Sequence, residues 1–405
     1  MRTLSVICLA CMLFACSKKD STVSPPIDPV TDPVISSFLP DTGSEATIVT
    51  INGTSFSNDT SKVRVQFNGI TAIITSATAT QIIAIVPPGA TSGKLSVTVN
   101  DKRATSAVDF IVVPLTWVRK ADFGGAGRQR ASGFAIGGTG YIVGGFSNQL
   151  KITPKDFWAY DAASNSWTKK ADFPGNGREF GIAFSINGKG YFGLGYDDPF
   201  RLNPEGADFW EYDPATDQWT KKRDVPFITR EAAVGFTMNG KGYVGLGTNF
   251  NYSMLYRDFW EYDPATDTWT KKADYPGDGI FLGIGFSING LGYVGFGASS
   301  TVSKQFWEYN ASSDTWSRKA DLPASGRTDA IGFAIGNKGY VGFGHNVLSD
   351  LNDFWEYDPA TDQWKEKRAF PGTARYDLVG FSIGNTGYIG TGNPGSYVDF
   401  WQFNP

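Results

Sequence analysis

Six tryptophans divide the second part of this 405-residue chain into near-equal lengths. Trp117, Trp167, Trp219, Trp269, Trp316 and Trp364 stand 50, 52, 50, 47 and 48 residues apart. Each is followed 24 residues later by the tyrosine of a Gly-Tyr pair, at Tyr141, Tyr191, Tyr243, Tyr293, Tyr340 and Tyr388. A Phe-Trp pair ends each unit at Trp158, Trp210, Trp260, Trp307, Trp355 and Trp401, and in the first five units the next repeat tryptophan comes 9 residues on. Fixed internal distances at a period near 50 residues signal a repeat architecture.

Each unit holds four short strand-like segments. In the second unit they are Phe180–Ile186, Gly190–Gly195, Asp208–Tyr212 and Trp219–Lys222. Asn187-Gly188 separates the first two as a hairpin dipeptide, and Asp213-Pro214-Ala215-Thr216-Asp217 separates the last two with turn formers. Four antiparallel strands per unit is the pattern of a propeller blade. The last unit stops at Phe403-Asn404-Pro405 with no outer strand, whereas Leu115–Lys120 is an outer strand with no blade before it. Setting Trp117 beside Trp401 completes a sixth blade from both termini and removes open edges. All 12 tryptophans occupy repeat positions, so they read as packing between blades rather than as sugar platforms.

The order Arg, strand, Asn-Gly, Gly-Tyr-Val-Gly-x-Gly, Tyr-Asp-Pro-x-Thr-Asp-x-Trp resembles the kelch family over about residues 115–405. Paired glycines of the kelch kind stand intact only at Gly144-Gly145, and later units read Gly-x-Gly. Upstream, β-branched strands alternate with Asn52-Gly53, Asn68-Gly69, Pro88-Gly89 and Ser92-Gly93, which argues for an Ig-like sandwich over residues 33–113. The wording Pro33-Val-Ile-Ser-Ser-Phe-Leu-Pro40, Val49-Thr-Ile-Asn-Gly53, Val65-Gln-Phe-Asn-Gly69 and Val86-Pro-Pro-Gly89 resembles the IPT/TIG family, whose domains serve as spacers or interaction modules. The expected chain is all-β: an Ig-like β-sandwich followed by a six-bladed kelch-type β-propeller, closed by N- and C-terminal strands.

The N-terminus reads as a lipoprotein signal peptide over residues 1–15. Arg2 is its positive end, and the 11 apolar-rich residues from Leu4 to Phe14 are too few to span a bilayer. Leu13-Phe14-Ala15-Cys16 resembles the bacterial lipobox, which implies that Cys16 is acylated and holds the chain to a membrane. Residues 16–32 are the lipidated cysteine and a proline-punctuated tether of roughly 50–58 Å reach. Ser17 fits sorting to the outer membrane of a Gram-negative envelope, while Lys18-Lys19-Asp20 matches surface-export signals poorly. The other two cysteines, Cys8 and Cys11, lie in the segment removed. Disulfides, thiolate metal sites and cysteine nucleophiles are thereby excluded from the mature body.

The mature balance of 35 basic and 40 acidic residues offers no basic stripe for nucleic acid. With one histidine, His345, the copper chemistry of galactose oxidase, itself a kelch propeller, is excluded, and no cofactor or metal is expected. Two sets of residues are candidates for ligand contact. The first comprises Arg128, Arg178, Arg230, Arg327 and Arg375, each 11 residues after a repeat tryptophan, with Ile280 breaking the series. They fall where each chain segment enters an innermost strand, so they should ring one mouth of the channel and suit an anion. The alternative is that they cap loops or pair with acids such as Asp172, Asp224 or Asp321. The second set is Tyr196, Phe200, Phe250, Tyr252 and Tyr256, aromatics outside any repeat position in the loops after the Gly-Tyr strands of blades two and three. These loops share a face with the arginine-bearing connections.

The reading is a monomeric cell-envelope binding protein that captures a protein or glycan on that face. The alternative is a carbohydrate isomerase, because sialic-acid mutarotases are similar six-bladed kelch propellers whose chemistry needs only acid–base groups near arginines. An enzyme should gather His345, an acid and several arginines into one pocket.

Overall fold

A computed structural model describes residues 31–113, 116–196, 206–249 and 251–405. The expected signal peptide, Cys16, most of the expected tether, Phe200 and Phe250 lie outside the described residues. The chain divides between residues 114 and 115 into two compact units, and the described secondary structure is strand apart from one short 3-10 turn.

The first unit is a sandwich of two sheets. One orders Val34–Leu39, Ile48–Thr54, Gln81–Ile85 and Ile73–Ala77, and the other Thr42–Gly43, Lys102–Val112, Gly93–Val99, Val63–Phe67 and Ile70–Thr71. Alternation decides which side chains meet between them. Val49, Ile51, Ile82 and Ala84 face Val65, Phe67, Leu95, Val97 and Phe110 in the core, while Ile48 on the same strand as Val49 points outward. Asn68-Gly69 makes the predicted tight turn, both residues at positive φ, and sets Phe67 opposite Ile70.

The second unit is a six-bladed β-propeller, each blade a four-stranded antiparallel sheet. Blade one orders Ser132–Ile136, Thr139–Val143, Phe157–Asp161 and Ser166–Lys170 from the axis outward. Blade six combines Val379–Ile383, Thr386–Gly390 and Phe400–Phe403 with Trp117–Arg119 from the other end of the unit. Trp117 pairs with Phe403, and Trp401 pairs with Arg119, so the register sits two residues from a direct Trp117–Trp401 pairing. In blade one, Trp167 likewise faces Tyr160 rather than Trp158.

Every outer-strand tryptophan joins two neighbouring blades. Its indole N–H donates to the carbonyl four residues after the preceding repeat tryptophan: Trp167 to Ala121, Trp219 to Ala171, Trp269 to Arg223, Trp316 to Ala273 and Trp364 to Ala320. Trp117 donates to Arg368 at 3.0 Å and completes the circle across the closing seam. Ring contacts fill the space between blades, as where Phe157 of blade one meets Tyr212 and Trp219 of blade two. The assignment of the repeat tryptophans to packing therefore has a hydrogen-bond component as well as an apolar one.

The Gly-x-Gly variation also has a physical cause. The residue at x adopts a left-handed conformation, at Leu194, Leu246, Phe296, Phe343 and Thr391, where blade one has Gly144. For an L-residue this backbone costs roughly 1–2 kcal/mol. These side chains are completely buried between blades, and burying a Leu or Phe returns about 1.5–3 kcal/mol. The trade balances or gains at the Leu and Phe positions. No such trade exists at the following glycine: a Cβ on Gly195 would lie 2.4 Å from the Glu179 carbonyl, and one on Gly344 2.4 Å from that of Thr328.

Candidate functional site: the long-loop mouth of the channel

The five repeat arginines do not form an open ring. Arg128, Arg178, Arg230, Arg327 and Arg375 are 0–2 % exposed, and each guanidinium is turned into its own blade. Their partners are Asp156, Asp208, Asp258, Asp353 and Asp399, two residues before the Phe-Trp tryptophan. Arg230 is typical: it donates to both Asp258 oxygens at 2.6 and 2.9 Å and to the Leu246 carbonyl, while the Trp260 indole donates to the same carboxylate. Burial pushes the Asp258 carboxyl up, but the Arg230 hydrogen bonds and charge outweigh it and hold the group below its ordinary range. Asp172, Asp224 and Asp321 instead pair with Lys169, Lys221 and Arg318 three residues earlier. The anion-ring expectation is corrected accordingly. A guanidinium paired with a carboxylate and screened from solvent is turned away from any ligand at the mouth.

Blade four explains itself in the same terms. Where the arginine is replaced by Ile280, the aspartate is replaced by Gln305, which still accepts from the Trp307 indole at 3.4 Å. Both members of the pair are gone together, as burial demands: one alone would be an uncompensated charge.

A different set of residues forms the mouth. The residues 13 positions after the repeat tryptophans are Arg130, Phe180, Ala232, Leu282, Asp329 and Asp377, all at φ between 53° and 58°. Their backbone N–H groups each donate to the carbonyl of the equivalent residue in the preceding blade. Arg130 donates to Asp377, Phe180 to Arg130, Ala232 to Phe180, Leu282 to Ala232, Asp329 to Leu282 and Asp377 to Asp329, at 2.9–3.3 Å. The result is a closed hydrogen-bonded ring joining all six blades. It encloses a chamber of about 150 Å³ that opens into the axial channel, whose next two chambers hold about 170 and 390 Å³.

Side chains at this ring make one connected polar group. Arg130 donates to Asp377 at 3.1 Å and to Glu179 at 2.9 Å, and its guanidinium lies 4.7 Å from the Phe180 ring. Burial alone would lower Arg130, yet the charges of Asp377 and Glu179 raise it. Burial raises Asp329 well above the usual carboxylate range, reinforced by the charge of Asp377 and a hydrogen bond with it. Tyr376 is raised by burial and by the charges of Asp377 and Asp350. The His345 ring lies 5.7 Å from that of Tyr376 at a tilt of 57° and shares a 2.8 Å hydrogen bond with Asp350.

Two of the three described loop aromatics have packing roles after all. Tyr196 is 4 % exposed, bonds Glu179 and packs against Phe180. Tyr256 lies 4.2 Å from the Arg230 guanidinium, as Tyr397 does over Arg375. Tyr252 remains exposed, against Phe281. What sequence reasoning missed is aliphatic. Among the described residues of the propeller unit, every exposed large apolar side chain is on the long-loop face. Leu150 and Ile152 belong to blade one, Ile228, Tyr252 and Met254 surround blade three, Val347 and Leu348 cap blade five, and Val398 adjoins blade six. Leu348 is 90 % exposed.

The tips that carry them are built. The Asn346 side chain accepts from the Leu348 and Ser349 N–H groups at 2.7 Å each, and Asn249 accepts from Ser253 and Met254 at 3.0 Å.

The geometry defines the class: an Ig-like sandwich followed in the chain by a six-bladed β-propeller, with an acid-bearing channel mouth inside an aliphatic collar. Residues 33–112 match the IPT/TIG domain model. The chain is also similar to a solved structure titled "Structure of YjhT", at 16% identity and a TM-score of 0.60, over 69% of this chain and 95% of that one. At that identity the likeness speaks for the fold alone. No curated protein matches the chain in sequence.

Proposed function

We propose that this chain is a cell-envelope lipoprotein, anchored through Cys16, that captures a protein or glycan ligand on the long-loop face of its propeller. The observation that carries the reading is the one-sided surface. Exposed apolar side chains on a soluble unit are ordinarily scattered; gathered around one channel mouth, they mark an interaction face. The short turns of the opposite face repeat almost unchanged and leave little room for specificity.

The anchor and the face are separately testable. Cys16→Ala is expected to move the protein from the membrane fraction to the soluble fraction, and unchanged membrane association would remove the lipobox from the account. The soluble Cys16→Ala protein then serves for screening against a glycan array and envelope extracts. For any ligand found, Tyr252→Ala with Leu348→Asp is expected to weaken binding by roughly 1–3 kcal/mol without unfolding. Thr216→Lys, in a turn of the opposite face, should leave binding intact; the reverse outcome places the site on the other face.

A second reading, an acid–base isomerase of the mutarotase kind, is favoured by the raised carboxyl of Asp329 beside Asp377, with Tyr376 and His345 nearby. It is weakened by the arginines: among the described residues only Arg130 stands at the mouth, and both its ion-pair partners there are carboxylates.

A further inference from the structure

The collar and the mouth together constrain what kind of ligand the face takes, and the argument rests on the binding reading above. Aliphatic side chains dominate the collar; Tyr252 is its single aromatic among the described residues. Sugars are held by aromatic stacking and dense hydrogen bonding, to which Leu348, Val347, Met254 and Ile228 contribute neither. Such residues gain by burial against apolar side chains, at ~25 cal/mol per Å² removed from water. The turns that carry Val347, Leu348 and Met254 are already fixed by Asn346 and Asn249, so less ordering entropy opposes association.

At the centre the chemistry changes. The chamber at the mouth has about 150 Å³, roughly five times the ~30 Å³ share of one liquid water, the scale of one long side chain. Its wall pairs the apolar Phe180 and Leu282 with Asp329 and Asp377. Among the described residues, three carboxyl groups, Glu179, Asp329 and Asp377, face the guanidinium of Arg130, which two of them already engage. Asp329 is the half-buried member left facing the chamber. An entering cation finds an acceptor and an aromatic ring; an entering anion finds carboxyl groups.

We infer that the mouth is a socket for a lysine or arginine side chain of a polypeptide partner, whose flanking aliphatic residues seat on the collar. The stem of such a side chain lies against Phe180 and Leu282, and its charged head reaches Asp329, whose raised carboxyl the arriving cation draws back toward the ionised form, a form that Asn cannot supply.

A random 12-residue peptide library selected on the immobilised full-length Cys16→Ala protein tests this. Selected peptides are expected to carry Lys or Arg flanked by aliphatic residues. Asp329→Asn should weaken their binding at least about tenfold, as should Leu348→Asp. Asn suits the positive φ of position 329, so the backbone ring persists in that variant. Enrichment of acidic peptides, or indifference of basic peptides to Asp329→Asn, overturns the socket. A glycan array run alongside separates the two levels. Glycan capture that Leu348→Asp abolishes, with no peptide enriched, would refute the polypeptide partner yet keep the face. Ligands of either kind that ignore Leu348→Asp would refute the face itself.

Discussion

Replacing Arg230 with isoleucine is expected to destabilise the propeller, and adding Asp258→Gln to restore most of the loss. The single change leaves a carboxylate in a blade interior without its cation. Removing one partner of a buried pair costs about 3–5 kcal/mol, and the 21% exposure of the Asp258 side chain favours the lower end. The double change copies blade four, where Ile280 and Gln305 occupy the same two positions. Glutamine still accepts from the Trp260 indole, so the double variant is expected within about 1–2 kcal/mol of the parent. Equilibrium urea unfolding of the parent, the single and the double variant measures this. A double variant no more stable than the single would mean that the pair is not the unit of burial.

The second large effect concerns ring closure. A chain beginning at residue 114 keeps Trp117–Arg119 and is expected to fold as a closed propeller. A chain beginning at residue 121 loses the outer strand of blade six and the indole bond to Arg368. It also empties the space where Trp117 meets Phe343, Phe354, Phe370 and Phe403. Loss of a buried tryptophan alone costs about 3–5 kcal/mol, and the exposed edge of Phe400–Phe403 adds to it and invites association. The shorter chain should melt about 10 °C or more below the longer one. Equal melting temperatures would show that the terminal strands do not close the ring.

Most of the fold was legible because its determinants repeat. Trp117, its five counterparts and the Gly-Tyr pairs carry both the blade count and the seam, since a missing outer strand at one end and a spare one at the other admit a single arrangement. The arginines show where such reading fails. Asp172 and its equivalents were the near acids in sequence, but antiparallel pairing brings Asp208 beside Arg178 from 30 residues away. A signal was present: five units keep both Arg and Asp, and one lacks both. The channel mouth had no signal of residue type. Arg130, Phe180, Ala232, Leu282, Asp329 and Asp377 share a backbone conformation and no chemistry, and nothing in a side chain announces a left-handed φ at a non-glycine position. Tyr196 and Tyr256 were singled out for lacking a repeat role; each has a local one that depends on a neighbour present in its own blade.

That the ring at the mouth is tied by main-chain atoms has a consequence for how such a protein diversifies. An arginine, a phenylalanine, an alanine, a leucine and two aspartates already satisfy the same six hydrogen bonds. The scaffold is therefore indifferent to what is displayed there. Six adjacent positions, one per blade and convergent on a single axis, form an address that substitution can rewrite one letter at a time, while the tryptophan bonds that join the blades and the arginine bonds within them lie elsewhere.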